Sequence, residues 1–293
     1  MKAVGEARAF GAVTIVNAIA TGRGAALSVD LWTDAKVELT DNPGVINGVI
    51  KTDPQESTTL IEKTVEAVLN LFKLERKHGA TIETNSTIPI AKGLKSSSSA
   101  ANAVALATLA ALGKKLSDLT TINLGVNAAL AAKVTVTGAF DDACASYFGN
   151  LVVTDNINRK ILKRFKIREN HAVLILVPKE KAYTAKIDTS RTKLVSALVD
   201  IALRETLSGN YWSALTLNGL AYSAALGYNT DPVLSALPAG ALAAGLSGKG
   251  PSIAAIVPLN KIDLVKKAWE PYLGEIIITH INRQKAFVKR RPS

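Results

Sequence analysis

Three short stretches of this 293-residue chain carry side chains suited to handling a phosphate group. The first runs from Pro89 through Lys92, Gly93, Leu94 and Lys95 into four consecutive serines, Ser96, Ser97, Ser98 and Ser99, and then into an alanine-rich segment. A helix beginning at such a point presents unpaired backbone N–H groups and the positive end of its dipole, a combination that binds phosphate. Gly93 lets the backbone approach closely. The hydroxyls of Ser96, Ser97 and Ser98 can donate to phosphate oxygens or ligate magnesium, and Lys92 and Lys95 add positive charge. Serines also cap helices, but one or two suffice for that, and four beside two lysines point to phosphate. The P-loop pattern, G-x-x-x-x-G-K followed by Ser or Thr, is absent.

The second stretch is Gly245-Leu246-Ser247-Gly248-Lys249-Gly250-Pro251-Ser252. Its glycines permit tight turns and close contact with a ligand or a neighbouring loop. A turn of this kind gains weight only beside the serine loop. The third is Thr137-Gly138-Ala139-Phe140-Asp141-Asp142-Ala143. Paired acids after an apolar segment can supply a base for a substrate hydroxyl and a magnesium ligand. The same pair would equally cap a helix starting near Ala143.

These stretches sit in a mixed pattern of strands and helices. Strand character marks residues 13–16, 25–29, 35–39, 80–90, 151–153, 172–177, 253–257 and 275–281. Helical periodicity marks 57–78, 100–112, 123–133, 190–207, 211–227, 232–243 and 262–269. A turn over 245–250 lies between the helix at 232–243 and the strand at 253–257. The polar, basic stretch near 155–170 reads as a domain boundary, which divides the chain into 1–158 and 159–293. There is no internal repeat and no low-complexity linker.

Composition sets outer limits. Hydrophobic residues make up 48% and aromatic residues only 5%, so the core must be aliphatic and closely packed. The net charge of +11 suits nucleic acid, an anionic membrane surface or anionic small molecules. Its densest clusters are 159–168 and the tail Lys289-Arg290-Arg291, which reads as solvated charge. The single cysteine, Cys144, excludes an intramolecular disulfide and fits a reducing, cytoplasmic setting; its expected place is the core. The apolar run after Lys2 looks like a signal peptide, but Glu6, Arg8, Gly11 and Asn17 interrupt the pattern, so a buried strand and loop are expected. No run approaches the ~18 apolar residues of a membrane span.

Taken in order, the three stretches resemble the GHMP kinases, the galacto-, homoserine, mevalonate and phosphomevalonate kinases. The serine loop is similar to that family's P-x-x-x-G-L-x-S-S pattern, and the glycine turn to its G-x-S-G-x-G pattern. Within the family the chain looks most like the archaeal shikimate kinases, through residues 93–98, 137–143, 11–18 and 22–26. The resemblance implies an α+β, two-domain fold: an N-terminal domain like ribosomal protein S5 domain 2, a ferredoxin-like C-terminal domain, and ATP in the cleft between. It implies transfer of the ATP γ-phosphate to shikimate, giving shikimate 3-phosphate and ADP. By the same resemblance Asp141 falls at the catalytic aspartate. ATP falls to Pro89, Lys92, Gly93, Leu94, Lys95, Ser96, Ser97, Ser98, Ser99, Gly248 and Lys249. Ser97 matches the magnesium-ligating serine, whereas the family's glutamate ligand has no acidic counterpart between Asn123 and Val136. Mg²⁺ is therefore left to Ser97, an aspartate and water. The lysine that assists the aspartate in mevalonate kinases is also missing from the N-terminal segment.

For the acceptor, the residues to watch are Asn17, Arg23, Thr137 and Asp142. A carboxylate calls for a nearby cation, and Arg8, Arg23 and Lys133 are candidates. Asn17 is equally readable as a buried structural amide. The expected partners are ATP and a small molecule, with no nucleic acid and no membrane, in a monomer or homodimer. Two alternatives stand beside this reading: another GHMP kinase, such as a homoserine kinase, and a basic nucleic-acid-binding protein, which would leave the serine loop and glycine turn unexplained.

Overall fold

The computed structural model describes residues 3–135, 137–179 and 190–290. Val136 and Arg291, singled out in the sequence, lie outside them. Two sheets organise the α+β architecture. The larger is built on β1 (Val4–Val16) and β2 (Arg23–Thr40), an antiparallel pair joined at the site end by residues 17–22. β4 (Gly79–Ser86) pairs with the second half of β2, and β3 (Ile46–Ile50) runs parallel to β4. β5 (Leu151–Asp155) pairs with the first residues of β2, and β6 (Lys160–Phe165) with β5. β11 (Phe287–Arg290) closes the other edge beside β1. The smaller, antiparallel sheet has the order β10 (Glu275–His280), β7 (His171–Val177), β9 (Ile253–Pro258), β8 (Ala243–Leu246).

The helices of the first half are α1 (Thr59–Leu71), α2 (Ser96–Ala111), α3 (Asp118–Ala131) and α4 (Phe140–Phe148). Beyond β7 come α5 (Ser196–Ser208), α6 (Tyr211–Leu226), α7 (Asp231–Ala236) and α8 (Ile262–Trp269). Alternation along β1 and β2 decides which core each residue joins. Ala7, Ala9, Ala12, Ala26 and Ala35 face Ala103, Ala107 and Ala111 of α2. Val13, Ile15, Leu27 and Val29 face the smaller sheet, α5 and α6. The scarcity of aromatic residues has its reason here: α2 lies so close to β1 that a Cβ at Gly5 would strike the Ala107 carbonyl. α2 is buried on almost every side, so it shows none of the apolar striping of a surface helix.

Several expectations need correction. The separate strands at 25–29 and 35–39 are one strand, because β1 pairs with β2 from Ala25 to Glu38 while β5 and β4 share its other edge. The helix expected to reach residue 78 stops at Leu71, where Lys73 turns to positive φ and Leu74 N–H bonds back to the Leu69 carbonyl. The helix expected over 232–243 is α7, followed by β8, which absorbs Gly245 and Leu246 and leaves the turn to 247–252. β3, β6, β8 and β11 were not anticipated. β6 lies within the basic stretch: Lys163 donates to the Leu207 carbonyl, and the Arg164 guanidinium stacks 4.2 Å from the centre of the Phe148 ring. β11 uses the tail expected to be solvated, with Lys289 2.9 Å from Asp34 and Arg290 3.6 Å from Glu6. Charge on such edge strands discourages pairing with other chains. The expected division at 158/159 falls between β5 and β6, and the later half returns β6 and β11 to the larger sheet. Among the described residues no helix is long and apolar enough to cross a membrane.

Candidate active site

The three chemical stretches converge on one cavity of about 150 Å³. Gly93 and Lys95 line it from the loop before α2, and Ser96 and Ser97 from the first turn of α2; Thr137 and Ala139 from the approach to α4, and Asp141 and Asp142 from its first turn; Gly248, Lys249 and Gly250 from the glycine turn; and Thr14 and Asn17 from the end of β1. Hydrogen bonds staple these pieces together. Ser247 Oγ donates to the Gly93 carbonyl at 2.7 Å and accepts from the Thr14 N–H at 3.2 Å. The Gly248 N–H donates to Thr14 Oγ1 at 2.8 Å, and Asn17 Nδ2 donates to the Gly248 carbonyl at 2.8 Å.

The serines do not cap α2. Lys95 holds the position before the helix with φ 65° and ψ 32°, and its side chain makes no capping hydrogen bond, in contrast to α3, which Ser117 caps. An uncapped helix start opening into a cavity is suited to an anion. The left-handed Lys95 backbone is uncommon for a side-chain-bearing residue. It directs the ammonium, 8% exposed, to within 3.1 Å of Asp142 Oδ1.

Asp141 lies in the first turn of α4 and is 4% exposed. Burial pushes its carboxyl up to about 7, the Asp142 charge adds to the rise, and Lys95 and the Asn156 hydrogen bond oppose it. A carboxylate poised near neutrality is matched to general-base work. The Lys249 ammonium is lowered to about 8, chiefly by burial, with Lys95 adding and Asp142 opposing. Gly24 on β2 backs directly onto the Asp141 carboxylate: a Cβ there would overlap Asp141 Oδ2 and crowd Ala18. Gly24→Ala is therefore expected to lower kcat at least ~10-fold while leaving KM for the nucleotide nearly unchanged, since a small misplacement of a reacting group is costly. Steady-state kinetics with both substrates checks this, and an unchanged kcat would place the reacting carboxylate elsewhere.

Other expected site residues lie outside this cavity. The Lys92 ammonium donates to the carbonyls of Pro178 and Lys179 at 2.5 and 2.7 Å, where it anchors the end of β7. Leu94 is core, and its carbonyl accepts from the Ala12 N–H; Pro89, Ser98 and Ser99 are likewise not in the lining. Arg23 pairs at 3.5 Å with Asp200. Arg8 makes two 2.7 Å bonds to Asp34 under the Trp32 ring. Asn17 lines the cavity, but its Oδ1 accepts the Ile19 N–H while its Nδ2 holds Gly248. Lys133 instead lines a second, more apolar cavity of about 260 Å³ with Ile50, Leu60, Ile61, Ile90, Ala100 and Val134. Ala91, Ser96, Ser97 and Val134 border both cavities. Cys144 is buried, and burial pushes its thiol up.

Sequence reasoning missed Thr154 and Asn156 as parts of this assembly, and gave Thr14, Gly24 and Ser247, which lie within the motif stretches, no role of their own. A signal existed for two: Thr154 and Asn156, two residues apart at the end of an apolar strand, share one face of it.

The fold is that of the GHMP kinases: residues 59–150 match the family model for the GHMP kinase N-terminal domain. The crystal structure of a mevalonate kinase from Methanococcus jannaschii superposes with a TM-score of 0.77 at 17% identity, covering 94% of this chain and 98% of that one. A homoserine kinase from Cytophaga hutchinsonii superposes at 0.74 and 19% identity, with 97% of each chain covered. Sequence similarity is far greater to proteins named shikimate kinase. The Methanosarcina mazei protein is 49% identical over 284 residues, 96% of each chain; that of Pyrococcus furiosus is 42% identical over 277 residues, 94% of this chain and 98% of its own. The chain belongs to this archaeal shikimate kinase family of GHMP kinases.

Proposed function

We propose that this protein is an ATP-dependent kinase that phosphorylates shikimate to shikimate 3-phosphate, with ADP as the other product. The observation that carries the reading is the single cavity in which an uncapped helix start, a buried lysine and a near-neutral carboxylate face one another. The nucleoside occupies the apolar cavity beside Val134, and its phosphates cross Ser96 and Ser97 into the polar one. The acceptor hydroxyl sits between Asp141 and the γ-phosphate. Its oxygen attacks phosphorus, the bond from phosphorus to the bridging oxygen breaks, and the hydroxyl proton passes to Asp141. The α2 amides and Lys95 stabilise charge on the transferring group; positioning and electrostatics do most of the work in such transfers.

Among the described residues no three His, Cys, Asp or Glu side chains cluster as a metal cage. Ser97 and the two aspartates nevertheless offer hard oxygen donors, which suit a Mg²⁺ that completes its shell with water and substrate phosphates. When bound, Mg²⁺ would neutralise phosphate charge, with Ser97 and Asp142 as its protein ligands. The setting we assign is cytoplasmic, with no nucleic-acid partner, as a monomer or homodimer. The likeness to relatives named shikimate kinase selects the acceptor. Incubation with Mg-ATP and shikimate, homoserine, mevalonate or no acceptor, followed by ADP release, is expected to give turnover with shikimate alone. Turnover with a different acceptor overturns the substrate, and none with any acceptor overturns the kinase.

A further inference from the structure

Asp141 is a short, buried side chain, and a base of that kind works only if its lone pair faces the acceptor hydroxyl. The sequence offers no lysine from the N-terminal segment to hold it. The structure provides a different holder, at the end of β5. Asn156 is 5% exposed, and both ends of its amide bond Asp141: Nδ2 donates to Asp141 Oδ1 at 2.7 Å, and Oδ1 accepts the Asp141 backbone N–H at 3.1 Å. A backbone N–H can only donate, so the amide atom facing it must be oxygen, and the NH₂ is left to face the carboxylate. Thr154 locks this orientation with a hydroxyl donated to the same Asn156 Oδ1 at 2.6 Å. Asn156 is fixed in turn by its own N–H, which donates to the Gly22 carbonyl at 2.9 Å. The β2–β5 register places Thr154 opposite Gly24, so one pair of strands supplies both the amide clamp and the glycine wall behind Asp141 Oδ2.

We infer that Asn156, locked by Thr154, is the positioning residue of phosphoryl transfer: it engages one carboxylate oxygen of Asp141 and leaves the other to the acceptor hydroxyl. This rests on the assignment of Asp141 as the base. Asn156 does not line the cavity and acts through Asp141. Its hydrogen bond also favours the ionised carboxylate. The other titratable groups that sense Asp141 are Asp142 and Cys144 on α4, Lys95 before α2 and Tyr222 on α6, and the substitutions below leave all of them in place.

The experiment is steady-state kinetics with ATP and shikimate, which separates kcat from the two KM values. Asn156→Asp keeps the shape, removes the donor and adds a like charge; Asn156→Ala removes the clamp. Each is expected to lower kcat roughly 10²-fold, the scale of a misplaced reacting group, with both KM values within about threefold. In an Asp141→Asn background the same change should cost little more, since the two act as a unit. Thr154→Val is expected to lower kcat several-fold and Thr154→Ser to restore it; this pair decides the matter if the Asn156 variants do not fold, and equal activity of Val and Ser overturns the proposal. Loss of turnover in Asp141→Asn with full turnover in Asn156→Asp also overturns it. Full turnover in Asp141→Asn removes the base assignment itself and leaves Asn156 nothing to position.

Discussion

Asp141→Asn is expected to retain nucleotide binding and lose ~10²–10⁴ in kcat, the usual contribution of a positioned general base. The substitution keeps the shape and the hydrogen bond from Asn156 but cannot accept the hydroxyl proton. In the parent, kcat/KM for the acceptor should fall as pH drops through about 7, the value to which burial has pushed the Asp141 carboxyl of the free protein, because protonation removes the base. That limb should vanish with Asn. Stability separates chemistry from misfolding. A carboxyl raised in the folded state destabilises the fold progressively as pH rises from 3.8 towards about 7, since the ionised form is the disfavoured one. Asn carries no charge there, so the variant is expected to melt no lower than the parent at pH 8. A variant that melts normally and still turns over at the parental rate would remove Asp141 from the reaction.

Gly93→Ala is the second large effect. Gly93 has φ +79°, and a Cβ there would press on the backbone carbonyl oxygen of Ser247, which cannot move without breaking the bond from Ser247 Oγ to the Gly93 carbonyl. The left-handed backbone alone costs about 1–2 kcal/mol for a residue with a side chain. The collision adds to this by prising the serine loop from the glycine turn. The expected result is a melting temperature lower by several degrees and a KM for ATP raised at least ~10-fold, as α2 loses its setting against the phosphates. Gly113→Ala is the control: it shares the positive φ, at +64°, but its Cβ would meet nothing within 4 Å. It should show the thermal loss without the nucleotide effect. Equal KM for ATP in the two variants would mean that the loop does not cradle the phosphates.

Much of the site was legible because its chemistry is local. Glycine before a run of serines, glycines around Ser247 and a double aspartate are short-range patterns, and a helix N-terminus binds anions wherever the helix stands. The long helices and central strands were legible for the same reason, since side-chain period survives in the linear chain. The strands missed at β3, β6, β8 and β11 are the short or charged ones, whose existence depends on a partner edge rather than on their own residues. Lys92 and Arg23 show the same limit among site residues. Their types suit phosphate and carboxylate, but the carbonyls of Pro178 and Lys179 and the Asp200 carboxylate reach them first.

By itself the sequence determined that a serine-rich helix start, a paired acid and a glycine turn would occur, on those elements. Only the tertiary structure decided that Ser247 and Thr14 would join them. It also decided that Lys95 rather than Lys92 would face the acids, and that burial would bring Asp141 near neutrality under the hold of Asn156. The physical reason is that desolvation, ion pairing and the direction of a hydrogen bond are properties of what surrounds a side chain. At this site those surroundings come from residues as distant in sequence as Thr14 and Gly248, which share a 2.8 Å bond.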